Sequence, residues 1–245
     1  MTRRAVVLAL VAFAVASCTA SADETGSATL VLFDVSNSTR AQSVRARYDE
    51  TFAMVLEHLR DDGGVLGADI VDANPLVHGG LPINEMFEPC TITDNSLDCR
   101  EAQREQEQRV VDASNAILRH ASRGTDVFGA LTLASQFFEA YPEAGERTVV
   151  LLSDMVQFAN GIRLGSVERW SPAELSALLE DAPTIDLTGV RVYVVGAGAT
   201  TTTELTPAQI EGIASFWARW FERSGAQVEF YGANLARFPI AEVGS

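Results

Sequence analysis

From Ala28 onward, short and continuously apolar runs alternate with longer stretches whose apolar residues recur every three or four positions. Leu30-Val31-Leu32-Phe33 and Val149-Val150-Leu151-Leu152 carry no polar interruption, as expected of strands covered on both faces. Val65–Asp72, Val190–Val195 and Ala226–Tyr231 predict three more strands, and Ile83–Phe87 an antiparallel edge strand, where the proline at its entrance is tolerated. Between them, Ala41–Arg60 places Val44, Tyr48, Phe52, Val55 and Leu59 on one helical face. Further helices are predicted over Glu101–His120 and Asp126–Ala140, from Ser171-Pro172-Ala173-Glu174, and from Thr206-Pro207 to about Gly225. The last two open with a hydroxyl cap followed by proline at the first helical position. Strands alternating with helices predict an α/β fold: a Rossmann-like, doubly wound, mostly parallel six-stranded sheet with one antiparallel edge strand. No internal repeat or second-domain boundary is visible.

Composition narrows what such a domain can do. The 245 residues carry 18 basic and 33 acidic side chains, a net charge of −15, and all the basic ones are arginine. Without lysine there is no Schiff base, no P-loop lysine and no Ser–Lys dyad. The acid excess argues against nucleic acid, whose phosphates need clustered basic groups, and against electrostatic docking on anionic lipid.

The first residues read as an address. Met-Thr-Arg-Arg precedes thirteen small or apolar residues, Ala5 to Ser17, too short to span a bilayer but suited to a secretory signal. Val15-Ala16-Ser17-Cys18 resembles the lipobox of bacterial lipoproteins, a family in which the cysteine is lipidated and becomes the first mature residue. Residues 1–17 are thus expected to be a signal peptide, 18–28 a lipidated cysteine with a flexible tether, and 29–245 the folded domain. The expected location is the extracytoplasmic face of a bacterial cell membrane, held by lipid alone. An uncleaved anchor is the alternative. The remaining cysteines, Cys90 and Cys99, bracket a polar loop and are expected to form a disulfide in an oxidising compartment. No second cysteine pair or nearby histidine completes a zinc set there.

In doubly wound sheets, ligands bind beyond the carboxyl ends of the strands. The first strand ends in Asp34-Val35-Ser36-Asn37-Ser38, three oxygen side chains at alternate positions that suit a hard divalent cation. Ser153-Asp154 follows the strand at 149–152, and Gly124-Thr125-Asp126 opens a helix after a polar loop. Each piece alone also fits a helix cap: Asp34 and its serines, and Thr125 for the helix beginning at Asp126. Asp34-x-Ser36-x-Ser38, then Gly124-Thr125-Asp126, then Leu151-Leu152-Ser153-Asp154 together resemble the metal-ion-dependent adhesion site of von Willebrand factor A domains, a likeness that covers the chain from about Ala28 onward. It implies that Ser36, Ser38 and Thr125 ligate Mg²⁺ (or Mn²⁺ or Ca²⁺) directly, that Asp34 and Asp154 act through water, and that a partner's carboxylate completes the set. Few formal negatives leave such an ion electrophilic enough to attract that carboxylate. Two departures stand out: Met155, where many family members carry glycine, and an insertion at about 75–100 that holds the cysteine pair.

Other chemistries fit less well. A haloacid-dehalogenase-like phosphatase needs an aspartate where Ser36 stands, and a lysine. No Gly-x-Ser-x-Gly elbow or His-Glu-x-x-His occurs. The glycines of Gly196-Ala197-Gly198 complete no nucleotide fingerprint and are expected to let their loop lie near the metal mouth. His58, His78 and His120 read as surface or boundary residues, the Trp217, Trp220 and Phe221 stripe as core, and the charged helix from Glu101 as a solvated face with ion pairs. The expectation is a binding module without catalysis, holding Mg²⁺ and engaging a protein or envelope ligand. The alternatives are an assembly lipoprotein with a vestigial metal site or, least favoured, a metal-dependent phosphohydrolase using Asp34.

Overall fold

The computed structural model describes residues 26–91, 95–166, 170–200 and 205–239. Cys18, the predicted signal and most of the tether lie outside them. In chain order the elements are β1 (Ser27–Asp34), α1 (Gln42–Asp62), β2 (Gly64–Val71), β3 (Ile83–Phe87), α2 (Ser96–Leu118), α3 (Val127–Glu139), β4 (Glu146–Leu152), β5 (Phe158–Ala159), β6 (Ile162–Arg163), α4 (Pro172–Asp181), β7 (Val190–Val195), α5 (Pro207–Ser224) and β8 (Gln227–Gly232). The main sheet runs β3-β2-β1-β4-β7-β8, with β5 and β6 as a separate small hairpin. Every neighbouring pair in the main sheet is parallel except β2 with β3.

The unbroken apolar runs are explained by burial on both sides. Along β1, β4 and β7, Leu30, Leu32, Val149, Leu151, Val192 and Val194 face one core, packed with α3, α4 and α5. Val31, Phe33, Val150, Leu152, Tyr193 and Val195 face the other, packed with α1 and α2. On the first side, Phe128 of α3 meets Trp217 and Trp220 of α5 at 4.9 and 5.3 Å between ring centroids. The tryptophan stripe is therefore core, and both indole N–H groups find carbonyls, Met155 O at 2.9 Å and Pro183 O at 3.0 Å. The predicted stop of α5 is real: Gly225 adopts φ +77°, and a Cβ there would lie 2.6 Å from Thr188 Oγ1.

One helix boundary moves. Helix α2 begins at Ser96, five residues before the sequence pattern predicts, so Cys99 sits in its first turns; Asp98 in the first turn favours that start. The Cys90–Cys99 disulfide forms, with Cα atoms 6.0 Å apart, and ties α2 to the chain leaving β3. The segment at 75–100 read as an insertion supplies β3 itself, the antiparallel edge of the sheet. The charges of α2 pair outward: Glu107 meets Arg60 of α1 at 3.7 Å. The β5–β6 hairpin had no sequence signal, because two-residue strands leave no periodicity to read.

Among the described residues, no helix is long and apolar enough to cross a membrane.

Candidate metal-binding site

Strand order reverses between β1 and β4: the chain moves outward from β1 to β2 and β3, then returns to place β4 on the other side of β1. Crevices form at such reversals, beyond the carboxyl ends of the strands. Asp34 closes β1, and Asp154 stands two residues past β4, so both carboxylates flank this crevice. Each is essentially inaccessible, at 0% and 1% exposure.

The Asp34 side chain is held from two directions. Its Oδ1 accepts the Ser36 N–H at 2.8 Å, and its Oδ2 accepts the Ser153 hydroxyl at 2.7 Å. The first bond folds residues 34–36 back so that the Ser36 and Ser38 hydroxyls stand 2.9 Å apart. A short 3₁₀ turn over Asn37–Thr39 follows, secured by the Thr39 hydroxyl donating to the Asp34 and Ser36 carbonyls. Ser36, Ser38 and Thr125 then line one cavity of about 410 Å³. All five predicted residues are brought to the same crevice.

Neither serine is spent on capping. The residue before α1 is Ala41, and Ser36 makes no side-chain cap bond to the 3₁₀ turn. The cap of α3 is Asp126, whose Oδ1 accepts the Gly129 N–H at 3.1 Å. Thr125 is thus not the cap either, and its carbonyl accepts the Phe158 N–H at 2.9 Å.

Negative charge in the crevice is only partly compensated. Burial pushes the Asp34 carboxyl above its ordinary value, against hydrogen bonds from Ser36 and Ser153 and the field of Arg45. Burial, then the neighbouring Asp34 charge, pushes Asp154 up to about 7, while the Ser38 hydroxyl and the Val156 N–H pull it back. Asp154 Oδ1 accepts that N–H at 3.0 Å, but its Oδ2 is buried without a hydrogen-bond partner. An orphaned carboxylate oxygen costs about 1–3 kcal/mol or more, and beside three hydroxyls it is a group that a hard cation would satisfy. The donor set of hydroxyls and carboxylates suits a hard ion such as Mg²⁺, and the residues fit it. The chemistry is not that of a carboxylate cage: among the described residues, no three His, Cys, Asp or Glu side chains converge to hold a metal.

Met155 follows Asp154 with φ +63°, in the left-handed region that favours glycine. A buried side chain, the Met155 N–H donated to Ser153 Oγ at 3.0 Å and the Trp217 indole on its carbonyl hold it there. The glycine loop after β7 does lie close, as expected, with the Gly198 N–H donating to the Asp154 carbonyl at 3.1 Å.

Several supporting residues escape sequence reasoning. Ser153 was visible only as part of a motif, with no sign that it holds Asp34. Asp126 accepts Gln157 Nε2 at 3.2 Å and Asn160 Nδ2 at 2.6 Å, while Gln157 Oε1 accepts the Val127 N–H at 2.7 Å. Tyr48 reaches the same crevice from α1; burial and then the Asp34 and Asp154 charges raise its hydroxyl well above the usual range. His78 takes the boundary position expected of it and there bridges Asp69 and Asp72 through opposite ring nitrogens, at 3.1 and 3.2 Å.

The doubly wound order and the single antiparallel edge are those that the resemblance implies. The fold resembles that of von Willebrand factor A domains in this strand order and edge. Solved structures similar to it include a von Willebrand factor type A protein from Catenulispora acidiphila, 15% identical over 84% of this chain and 39% of that one, with a TM-score of 0.42. The pilus adhesin SpaC from Lactobacillus rhamnosus GG is 15% identical in its open conformation, over 87% of this chain and 28% of that one, with a TM-score of 0.46. A second form of SpaC is 12% identical over 82% and 31%, with a TM-score of 0.38. The chain spans less than two-fifths of the length of each. No protein-family profile and no curated protein sequence matches it.

Proposed function

We propose that this protein is a lipid-anchored extracytoplasmic binding module that holds a divalent cation, Mg²⁺ foremost, and engages another protein or an envelope component through it. Ser36, Ser38 and Thr125 would hold the ion, with Asp34 and Asp154 behind them. The bound ion supplies a Lewis-acidic centre for a partner's carboxylate. The observation that carries this reading is the buried Asp34–Asp154 pair, with one orphaned oxygen, beside three hydroxyls that no helix uses as caps. The binding reading is favoured over a catalytic one by the Asp34 geometry: both its oxygens are engaged by Ser36 and Ser153, which leaves it poorly placed as a nucleophile.

Isothermal calorimetry with Mg²⁺ and Mn²⁺ tests the cation site. Wild type is expected to bind, and an Asp34→Ala, Ser36→Ala double variant to lose binding; equal affinity in both overturns the proposal. Anchoring is tested separately by Cys18→Ser, which should release the protein from the membrane fraction. Unchanged retention would favour an uncleaved anchor.

A further inference from the structure

Beside the three hydroxyls, the cavity has a second wall of different chemistry, formed by Val156, Phe158 and Leu205, with Arg123 at its edge. Phe158 is 48% exposed, and among the described residues it is the one aromatic ring left in solvent. The other described aromatic rings are buried or partly buried, so its exposure at this mouth calls for a reason.

The backbone that carries Phe158 is also tied down. Its N–H donates to Thr125 O at 2.9 Å, and its β5–β6 hairpin is fastened by the Asn160 and Gln157 side chains on Asp126. The same Asp126 caps α3 directly after Thr125. One network therefore positions both the hydroxyl that faces the cation and the ring beside it. A fixed, half-exposed aromatic is the usual anchor of a recognition surface, because little entropy is lost when it is covered.

Charge is placed to match. The chain carries −15 overall, which repels an acidic partner at long range. At this mouth two cationic side chains stand beside the apolar wall: Arg163 lies over the Phe158 ring, 4.6 Å from its centroid, and Arg123 lines the cavity. Two guanidinium groups flanking an apolar wall steer and orient an anionic segment.

We infer that the partner presents an acidic side chain flanked by an apolar one, the carboxylate going to the cation and the apolar group to the Phe158 wall, with Arg123 and Arg163 at its sides. This inference rests on the cation reading above and extends it to the class of ligand.

Fluorescein-labelled peptides test it by anisotropy against the full-length protein in mild detergent, with Mg²⁺ or with EDTA. Gly-Leu-Asp-Leu-Gly is expected to bind about tenfold more tightly than Gly-Gly-Asp-Gly-Gly, both only with Mg²⁺; Gly-Leu-Asn-Leu-Gly should not bind. Phe158→Ser should erase the leucine advantage while leaving Mg²⁺ binding by calorimetry unchanged, and Phe158→Leu should keep most of it. Arg123→Gln should weaken both aspartate peptides several-fold at low salt and flatten their salt dependence. If the two aspartate peptides bind equally and only with Mg²⁺, or if Phe158→Ser leaves the leucine advantage intact, the apolar wall is overturned and the cation reading stands. If neither binds in a Mg²⁺-dependent way, both fall together.

Discussion

Replacing Asp154 by asparagine should remove most of a distinctive pH dependence from the protein's stability. Asp154 is buried with its carboxyl pushed from 3.8 up to about 7, by burial and then by the Asp34 charge. The folded chain therefore holds this proton more tightly than the unfolded chain does. Below pH 3.8 both states are protonated and the contribution is fully present; between 3.8 and about 7 the unfolded chain sheds its proton first, so stability falls as pH rises. Above about 7 the contribution is gone. At 1.36 kcal/mol per unit, the two units between pH 5 and 7 amount to about 3 kcal/mol. For a domain of this size, each kcal/mol moves the melting temperature by roughly 2–4 °C, so the fall should be about 6–12 °C. Asp34, raised by burial as well, acts in the same direction.

The assay is thermal denaturation at pH 5, 6, 7 and 8 in EDTA at constant ionic strength, comparing wild type with Asp154→Asn. Other titrating groups are common to both proteins, so the difference between the two curves isolates the site. Asparagine keeps an oxygen to accept the Val156 N–H and cannot ionise. Mg²⁺ in place of EDTA adds a second reading, because a cation and a proton compete for the same carboxylates. The Mg²⁺-induced rise in melting temperature should be larger at pH 8 than at pH 5. Parallel curves for the two proteins in EDTA, within about 2 °C over the whole range, would refute the assignment of a buried, only partly compensated carboxylate to this crevice.

Three further outcomes are expected. Asp126→Ala removes the α3 cap and the carboxylate that accepts the Gln157 and Asn160 amides, which should cost about 2–4 kcal/mol in urea denaturation; a loss below 1 kcal/mol would mean that the network adds nothing beyond the cap. Met155→Gly relieves about 1 kcal/mol of left-handed strain but empties a fully buried site, so the same assay should show a net loss of about 1–4 kcal/mol, and a stabilised variant would show that the strain dominates. The Cys90→Ser, Cys99→Ser double variant reopens a short loop, which should lower stability by about 2–3 kcal/mol, read as a melting-temperature drop of roughly 4–12 °C.

What was legible in the sequence is what leaves a repeating pattern. Strands buried on both faces read as solid apolar runs, so β1, β4 and β7 could be placed to within a few residues, and α5 announced both ends through Thr206-Pro207 and Gly225. The oxygen side chains beyond β1 and β4 could be paired because a doubly wound sheet brings those strand ends together wherever its order reverses. What stayed hidden depends on partners distant in sequence. Ser153 holds Asp34 across 119 residues, and Gln157 and Asn160 reach Asp126 across 31 and 34; nothing local to an asparagine marks the carboxylate it will meet. Phe158 was invisible for a related reason, since its exposure follows from a hairpin too short to show a period. A count of −15 describes the far field, whereas a ligand at the mouth meets Arg123, Arg163 and, on the reading proposed here, a divalent cation within a few ångströms. Screening confines surface charges to about 8–10 Å in physiological salt, so on the proposed reading the near groups would decide which carboxylate binds, and the acidic remainder only how rarely the wrong ones arrive.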